Sequence, residues 1–152
     1  AVDGSNSFDT DVAVLLPKDP NGSARKIREE LEAVFHVNLG VIICDTQGRA
    51  FRNGAIGMVV GSDGVLLNKS YIGLTDLNGR KLQSSGEALG DELAAAATIV
   101  MGQGDEGRPI AVIRGLDNAL APKQTSLIRP AEQDIFLQAL MYMRDNSDEA
   151  IT

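Results

Sequence analysis

The 152-residue sequence has the length of one ordinary domain, and its 43% hydrophobic and 23% charged residues are the balance of a globular chain. The net charge of −7 argues against a nucleic-acid partner held through its phosphates, and no apolar run is long enough to span a bilayer. We therefore expect a single domain over residues 1–152 with neither a nucleic-acid nor a membrane partner. No secretory signal is visible, so a cytoplasmic location is expected.

The first forty residues contain a strand pattern followed by a helix pattern. Residues 11–16 form an apolar run that ends at Pro17, which predicts a buried strand. Ser23 then stands at the N-cap position of an amphipathic helix, because apolar residues recur at helical spacing through Phe35.

A second buried strand is predicted at residues 41–44, Val-Ile-Ile-Cys, and its carboxyl end is polar at Asp45 and Thr46. Glycines at positions 48 and 54 predict a loop, and residues 56–60 predict a third strand. Because α/β sheets commonly bind ligands at the carboxyl ends of their strands, Asp45 is a candidate site residue.

The second half predicts a helix at residues 91–101, a strand at 109–114 and a last amphipathic helix at 132–144. Strands alternating with helices indicate a mixed α/β fold, a central sheet with packed helices. Periodicity predicts these core residues: Val14, Leu15, Ile27, Leu31, Ile42, Ile43, Leu93, Ile99, Val112, Ile113, Phe136 and Leu140.

Two oxygen-rich clusters are candidate cation ligands. Asp3, Ser5 and Asn6 form one, and Asp45 with Thr46 forms the other. Magnesium and manganese accept carboxylate, hydroxyl and amide oxygens, and share their other positions between water and substrate phosphate. Acids near turns are also common as solvated residues, so the spacing leaves both interpretations open.

Two loops could bind anions. Residues 101–108 are glycine-rich, but they follow a helix and lack the Gly-Lys-Ser/Thr ending, which excludes a P-loop; an ordinary turn explains the glycines equally well. Arg49 and Arg52 are candidate substrate-binding residues whose guanidinium groups could hold phosphate or carboxylate, or lie in a solvated loop. Without a partner for the single His36 or the single Cys44, no catalytic residue is assigned.

Residues 41–54 resemble the central motif of coenzyme F420-0:γ-glutamyl ligases, in which an apolar strand runs into Asp-Thr-X-Gly-Arg and then Arg-X-Gly. Further matches follow in the same order over nearly the whole chain. They are Val-Asp-Gly-Ser-Asn at residues 2–6, Leu-Pro-Lys-Asp-Pro at 16–20, Asp-Glu-Leu-Ala at 91–94, Met-Gly-Gln at 101–103, Arg-Gly at 114–115 and Leu-Ile-Arg-Pro at 127–130.

The resemblance implies the fold of this family and GTP-dependent ligation of L-glutamate to coenzyme F420-0, through an amide and then a γ-glutamyl bond. It implies two Mn²⁺ or Mg²⁺ ions, with K⁺ as a further candidate, and a homodimer. By matching position, Asp3 and Asp45 would bind metal, and Thr46 and Gln103 would serve a second cation. The implied GTP-binding positions are Asn6, Met101, Gly102, Gln103, Gly104, Asp105, Glu106, Gly107 and Arg108.

The sequence also departs from the family pattern. Family members carry a sizeable N-terminal segment before the first matched motif, so the chain corresponds to a C-terminal portion, and we expect weak or absent activity from it alone. Cys44 replaces a small hydroxyl residue, and Ser85-Gly86 stands where the family commonly has Thr-Glu. Two alternatives therefore stay open: a non-catalytic nucleotide-binding or dimerisation module, and a paralogous amide ligase with a different carboxylate substrate.

Overall fold

The computed structural model describes residues 2–3, 12–116, 119–121 and 125–146 of the chain. Its strands form three antiparallel pairs, β1–β2, β3–β4 and β5–β6, and the mixed α/β class is confirmed. The elements are β1 (Val2–Asp3), β2 (Val14–Leu15), α1 (Pro20–Phe35), β3 (Val41–Arg49), β4 (Arg52–Asp63), β5 (Lys69–Ser70), β6 (Gly86–Glu87), α2 (Leu89–Met101), a 3-10 helix (Ala131–Gln133) and α3 (Ile135–Asp145).

The central sheet is the hairpin of β3 and β4, against which α1 and α2 pack. The predicted loop between two short strands is wrong, because the polar residues there continue the ladder until Arg49 pairs with Arg52. Glycine and polar residues read as a loop from pattern alone, but cross-strand hydrogen bonds hold them in an exposed hairpin. As a result Asp45 lies within a strand, opposite Met58, and not at the end of one.

Helix boundaries differ from the predicted ones by a few residues. Helix α1 is capped by Asp19 and not by Ser23, since Asp19 Oδ1 accepts a hydrogen bond from Gly22 N at 2.9 Å. Helix α2 begins two residues early at Leu89, and Asp134 caps α3 by accepting from two backbone N–H groups. The starts of α1 and α3 follow the side-chain oxygen that accepts from the free N–H groups of the first turn, whereas α2 begins after Ala88 without a side-chain cap.

Polar contacts attach α1 to the end of β4. Asn21 Oδ1 accepts from Ser62 N at 3.0 Å, and Arg28 Nε donates to Asp63 Oδ2 at 2.6 Å. The carboxylates of Asp63 and Glu32 raise the pKa of Arg28, which therefore stays charged. Helix α1 is thus fixed to the hairpin by polar side-chain contacts and not by a broad apolar face.

Most of the predicted core residues are exposed, and this prediction is wrong for the described chain. Only Ile42, Ile43 and Leu93 are half-buried, whereas Ile99 is 84% exposed. Periodicity identifies the apolar face of an element, but burial also needs a second surface to cover that face. The buried apolar residues in the described ranges are Ala24, Val65, Leu67, Ala94 and Ala119.

The strand predicted at residues 109–114 has no partner among the described residues, and it is neither strand nor helix. An apolar run becomes a strand only when another strand receives its hydrogen bonds. Within the same described ranges, no helix combines the length and the apolar character that crossing a bilayer requires.

Candidate active site

Asp45 and Thr46 occupy neighbouring positions in β3. Successive strand residues point to opposite faces, so the exposed Asp45 carboxylate and the half-buried Thr46 hydroxyl face different sides of the hairpin. The backbone N of Thr46 donates to Asp45 Oδ1 at 2.7 Å, which orients the carboxylate. Each face of the hairpin therefore presents one side-chain oxygen here, that of Asp45 on one face and that of Thr46 on the other.

Gln103 meets Thr46 although 57 positions separate them in the sequence. The hydroxyl of Thr46 donates to Gln103 Oε1 at 3.2 Å, and Gln103 Nε2 donates to Gly102 O at 3.0 Å, which turns the amide oxygen toward Thr46. Gly57 lies opposite Thr46 in the hairpin, and a Cβ there would stand 2.6 Å from Ala94 O. The missing side chain thus lets α2 approach closely enough to bring Gln103 to the strand.

The Thr46 hydroxyl and the Gln103 amide oxygen, hydrogen-bonded at 3.2 Å, are both oxygens that a hard cation accepts as ligands. Hydroxyl, amide and carboxylate oxygens suit Mg²⁺ or Mn²⁺. The described ranges hold no group of three or more His, Cys, Asp or Glu at metal-binding distance.

The loop after α2 binds a carboxylate with its own backbone. Glu106 Oε2 accepts from Gly104 N at 2.8 Å, and bonds from the Glu106 and Gly104 N–H groups lower the pKa of Glu106. Gly102, with φ of 81°, ends α2 and leaves room for that carboxylate. A phosphate oxygen offers the same N–H groups the same kind of acceptor. The loop can therefore hold an anionic ligand in place of Glu106.

Arg49 and Arg52 lie at the tip of the hairpin, paired across its turn. Both are exposed, and Arg49 Nη1 donates to Gly54 O at 3.3 Å. Arg49 stands four residues after Asp45 along β3, which puts their Cα atoms about 13 Å apart at the usual rise. Both guanidinium groups are exposed, so they could bind an anionic group.

The remaining predicted site residues stand near the N terminus or in the loop. Asp3 pairs through its backbone with Val14 in β1–β2, and Asn6 lies outside the described residues. Asp105 is exposed in the loop after α2, and Arg108 Nη1 donates to Val100 O at 3.4 Å. Of the predicted cation ligands, the structure brings together Thr46 and Gln103, with Asp45 adjacent.

Two residues that support the site were missed by the sequence analysis. Asp91 Oδ1 accepts from Val59 N at 2.9 Å and so fixes the start of α2 to β4, while Gly57 admits the middle of the helix. A glycine inside a strand pattern often marks the close approach of another backbone, so the close contact at Gly57 could have been predicted from the sequence. Asp91 was noted only as part of the Asp-Glu-Leu-Ala motif, and its contact with β4 could not be predicted, since an acid in the first turn of a helix is ordinary.

Cys44 should react slowly with alkylating reagents. Its burial, and then the negative charge of Asp45, raise the pKa of the thiol, so less thiolate forms at a given pH. We expect iodoacetamide at pH 8 to modify the folded chain more slowly than the chain in urea, and Asp45→Asn to react faster than the parent. Asp105→Asn is the matched control, because Asp105 is an exposed acid in the loop after α2. Equal rates for Asp45→Asn and the parent would contradict the effect of the charge.

Comparison with known proteins agrees with the motifs. A family model described as F420-0:gamma-glutamyl ligase matches residues 1–115. Three similar proteins are named coenzyme F420:L-glutamate ligase. That of Methanocaldococcus jannaschii is 46% identical over 123 residues, which cover 80% of this chain and 49% of the relative.

The other two relatives have similar sequence identity to this chain. The Methanopyrus kandleri protein is 45% identical over 81% of this chain and 51% of its own length. The Archaeoglobus fulgidus protein is 40% identical over 91% of this chain and 55% of its own length. The chain thus spans about half the length of these curated relatives.

Proposed function

Because the chain belongs to the F420-0:gamma-glutamyl ligase family, we propose that it is part of an enzyme that ligates L-glutamate to coenzyme F420-0, using GTP and divalent cations. The observation that carries this proposal is the meeting of Thr46 and Gln103 on one side of the hairpin, with the carboxylate of the preceding residue, Asp45, on the other side. Side chains from distant parts of the chain supply oxygen donors there, beside a loop whose N–H groups bind an anion.

The proposed reaction forms an amide from a carboxylate, which first needs a better leaving group. Transfer of the γ-phosphoryl group of GTP to a carboxylate oxygen of F420-0 gives an acyl phosphate and GDP. The amine of L-glutamate then attacks the acyl carbon, the C–N bond forms, the C–O bond to phosphate breaks, and the amine loses a proton. The γ-carboxylate of the added glutamate can enter a second round. Bound Mg²⁺ or Mn²⁺ supplies charge stabilisation for the triphosphate.

We assign Asp3 and Asp45 to one cation, and Thr46 and Gln103 to a second. The loop of residues 101–108 binds phosphate oxygens of GTP, among others through the N–H of Gly104, with the Glu106 carboxylate displaced from it. This assignment uses the opposite faces of β3: the Thr46 hydroxyl points to α2, and the Asp45 carboxylate projects from the other side. The chain's own groups thereby hold and orient the nucleotide.

Arg49 and Arg52 fit a different part of the proposed substrate set. About 13 Å of strand separates the Cα atoms of Arg49 and Asp45. Guanidinium groups at the hairpin tip suit a carboxylate or phosphate group of the substrate, such as one of the coenzyme. The homodimer and the K⁺ ion implied by the resemblance belong to the same proposal.

A nucleotide-binding module that is silent in catalysis is the second candidate. It is favoured by Gly86, which stands where the family commonly has an acidic residue. Supplying the unmatched half of the M. jannaschii relative separates the two candidates. Turnover of GTP with F420-0 and glutamate supports the ligase, whereas nucleotide binding without turnover supports the module.

Calorimetric titration with GTP, with and without Mn²⁺, tests the nucleotide site directly. We expect GTP binding that depends on Mn²⁺, because the triphosphate needs cations beside the Asp45 and Glu106 carboxylates. ATP under the same conditions is the control for base preference. Equal heats with and without Mn²⁺ would contradict metal-dependent binding, and no heat with either nucleotide would contradict a nucleotide site in this chain.

A further inference from the structure

The loop after α2 folds its own glutamate onto a concave set of backbone N–H groups. Glu106 Oε2 accepts from Gly104 N at 2.8 Å, and hydrogen bonds from the N–H groups of Glu106 itself, Gly104 and Gln103 lower the pKa of this carboxyl group. Neighbouring N–H groups that converge on one point form an anion-binding concavity. The Glu106 carboxylate is the anion that occupies it.

The glycine that ends α2 makes this contact possible. Gly102 has φ of 81°, and a Cβ there would overlap the carboxyl group of Glu106. A residue with a side chain would be strained at this φ, and its side chain would push the carboxylate away. The position of Glu106 is therefore set by the backbone geometry of the loop, although the residue is exposed.

The contact uses the same N–H group that the proposed function gives to a phosphate oxygen. Carboxylate and phosphate oxygens are both anionic acceptors, and a backbone amide has a single hydrogen to donate. Two negative charges held at neighbouring points of one loop also repel each other. A phosphate group bound to Gly104 N and a carboxylate bound to the same N–H therefore exclude each other.

We propose that Glu106 is an internal competitor of the phosphate groups of the nucleotide, so that the loop binds phosphate only when this carboxylate leaves the N–H of Gly104. The inference rests on the proposed function, because it regulates the nucleotide site proposed there. Competition of this kind lowers the apparent affinity by the fraction of molecules in which the N–H groups are available. A carboxylate that returns to them as the phosphate leaves also favours release of the nucleotide product.

Titration of the whole chain with pyrophosphate in the presence of Mg²⁺, followed by the ¹⁵N-amide signal of Gly104, tests the competition. Glu106→Gln keeps the length of the side chain and removes its charge, and hydrogen bonds to a charged acceptor are the stronger ones. We expect half-saturation at a pyrophosphate concentration at least about tenfold lower in the variant than in the parent. An equal or higher concentration in the variant, or no response in either protein, would overturn the proposal.

The neighbouring acid provides the matched comparison. Asp105→Asn removes the same charge from the preceding exposed residue, but the hydrogen bond of Gly104 N goes to Glu106 and not to Asp105. We expect a clearly smaller gain in affinity from Asp105→Asn than from Glu106→Gln. Both side chains are exposed, so both variants should fold. Equal gains would overturn the proposal, because any negative charge near the loop would then oppose the anion equally.

Titration of the parent and of Glu106→Gln with GTP and Mg²⁺ separates this inference from the proposed function. Tighter binding of pyrophosphate by Glu106→Gln, without binding of GTP by either protein, would contradict the proposed function and support the competition. Binding of GTP that is equally strong in both proteins would support the nucleotide site and overturn the competition.

Discussion

Replacing Asp45 by Asn is expected to weaken Mn²⁺-dependent binding of GTP by about tenfold to 100-fold. Losses of this size are common even when the residue replaced only hydrogen-bonds to a metal ligand. The substitution removes one negative charge and keeps the size of the side chain. An asparagine oxygen can still accept the hydrogen bond from Thr46 N at 2.7 Å, so the strand geometry should persist. Titration calorimetry with GTP at fixed Mn²⁺ measures the change.

The control for Asp45→Asn is Glu30→Gln, which removes the same charge from an exposed position of α1. We expect the control to bind GTP as the parent does, because Glu30 belongs to α1 and is not one of the candidate site residues. Equal weakening in both variants would show that only net charge matters. Unchanged affinity in Asp45→Asn would remove Asp45 from the metal site.

Introducing a methyl group at Gly57 is expected to destabilise the fold by about 1–3 kcal/mol, the usual range for overpacking. A Cβ at Gly57 would lie 2.6 Å from Ala94 O and 2.6 Å from Thr98 Cγ2, so α2 must move away from β4. The free energy of unfolding in urea measures the loss. Movement of α2 should also separate Gln103 from Thr46 and weaken GTP binding in the same variant.

Gly48→Ala is the matched control in the same hairpin. A Cβ at Gly48 meets nothing within 4 Å, so stability should be unchanged or rise by up to about 1 kcal/mol as the unfolded chain loses freedom. A similar loss in both variants would mean that glycine is needed for the strand itself. A loss confined to Gly57→Ala would identify the close approach of α2 as the cause.

Helix α2 links the stability of the fold to the candidate site. Its first turn is fixed to β4 through Asp91 and Val59, its middle crosses Gly57, and its end delivers Gln103 to Thr46. A displacement of α2 at any of these points therefore changes the distance between the Thr46 and Gln103 oxygens. The expected effects of Gly57→Ala on unfolding and on nucleotide binding follow from this single element.

Sequence pattern predicted the mixed α/β class and the three helices to within a few residues, and the resemblance of motifs indicated the family. Apolar spacing and turn glycines are local properties, and so they can be identified along the chain. The string around Asp45 and Thr46 is also local, which is why the motif singled out both residues. These features required no knowledge of what lies across the fold.

Tertiary structure decided how those residues meet. The hairpin register places Thr46 opposite Gly57, and only that pairing, together with the approach of α2, brings Gln103 within 3.2 Å. The predicted core failed for the same reason, since Ile99 and Val112 have apolar character but no covering surface among the described residues. Periodicity states which side of an element avoids water, whereas burial and site geometry depend on contacts between residues far apart in sequence.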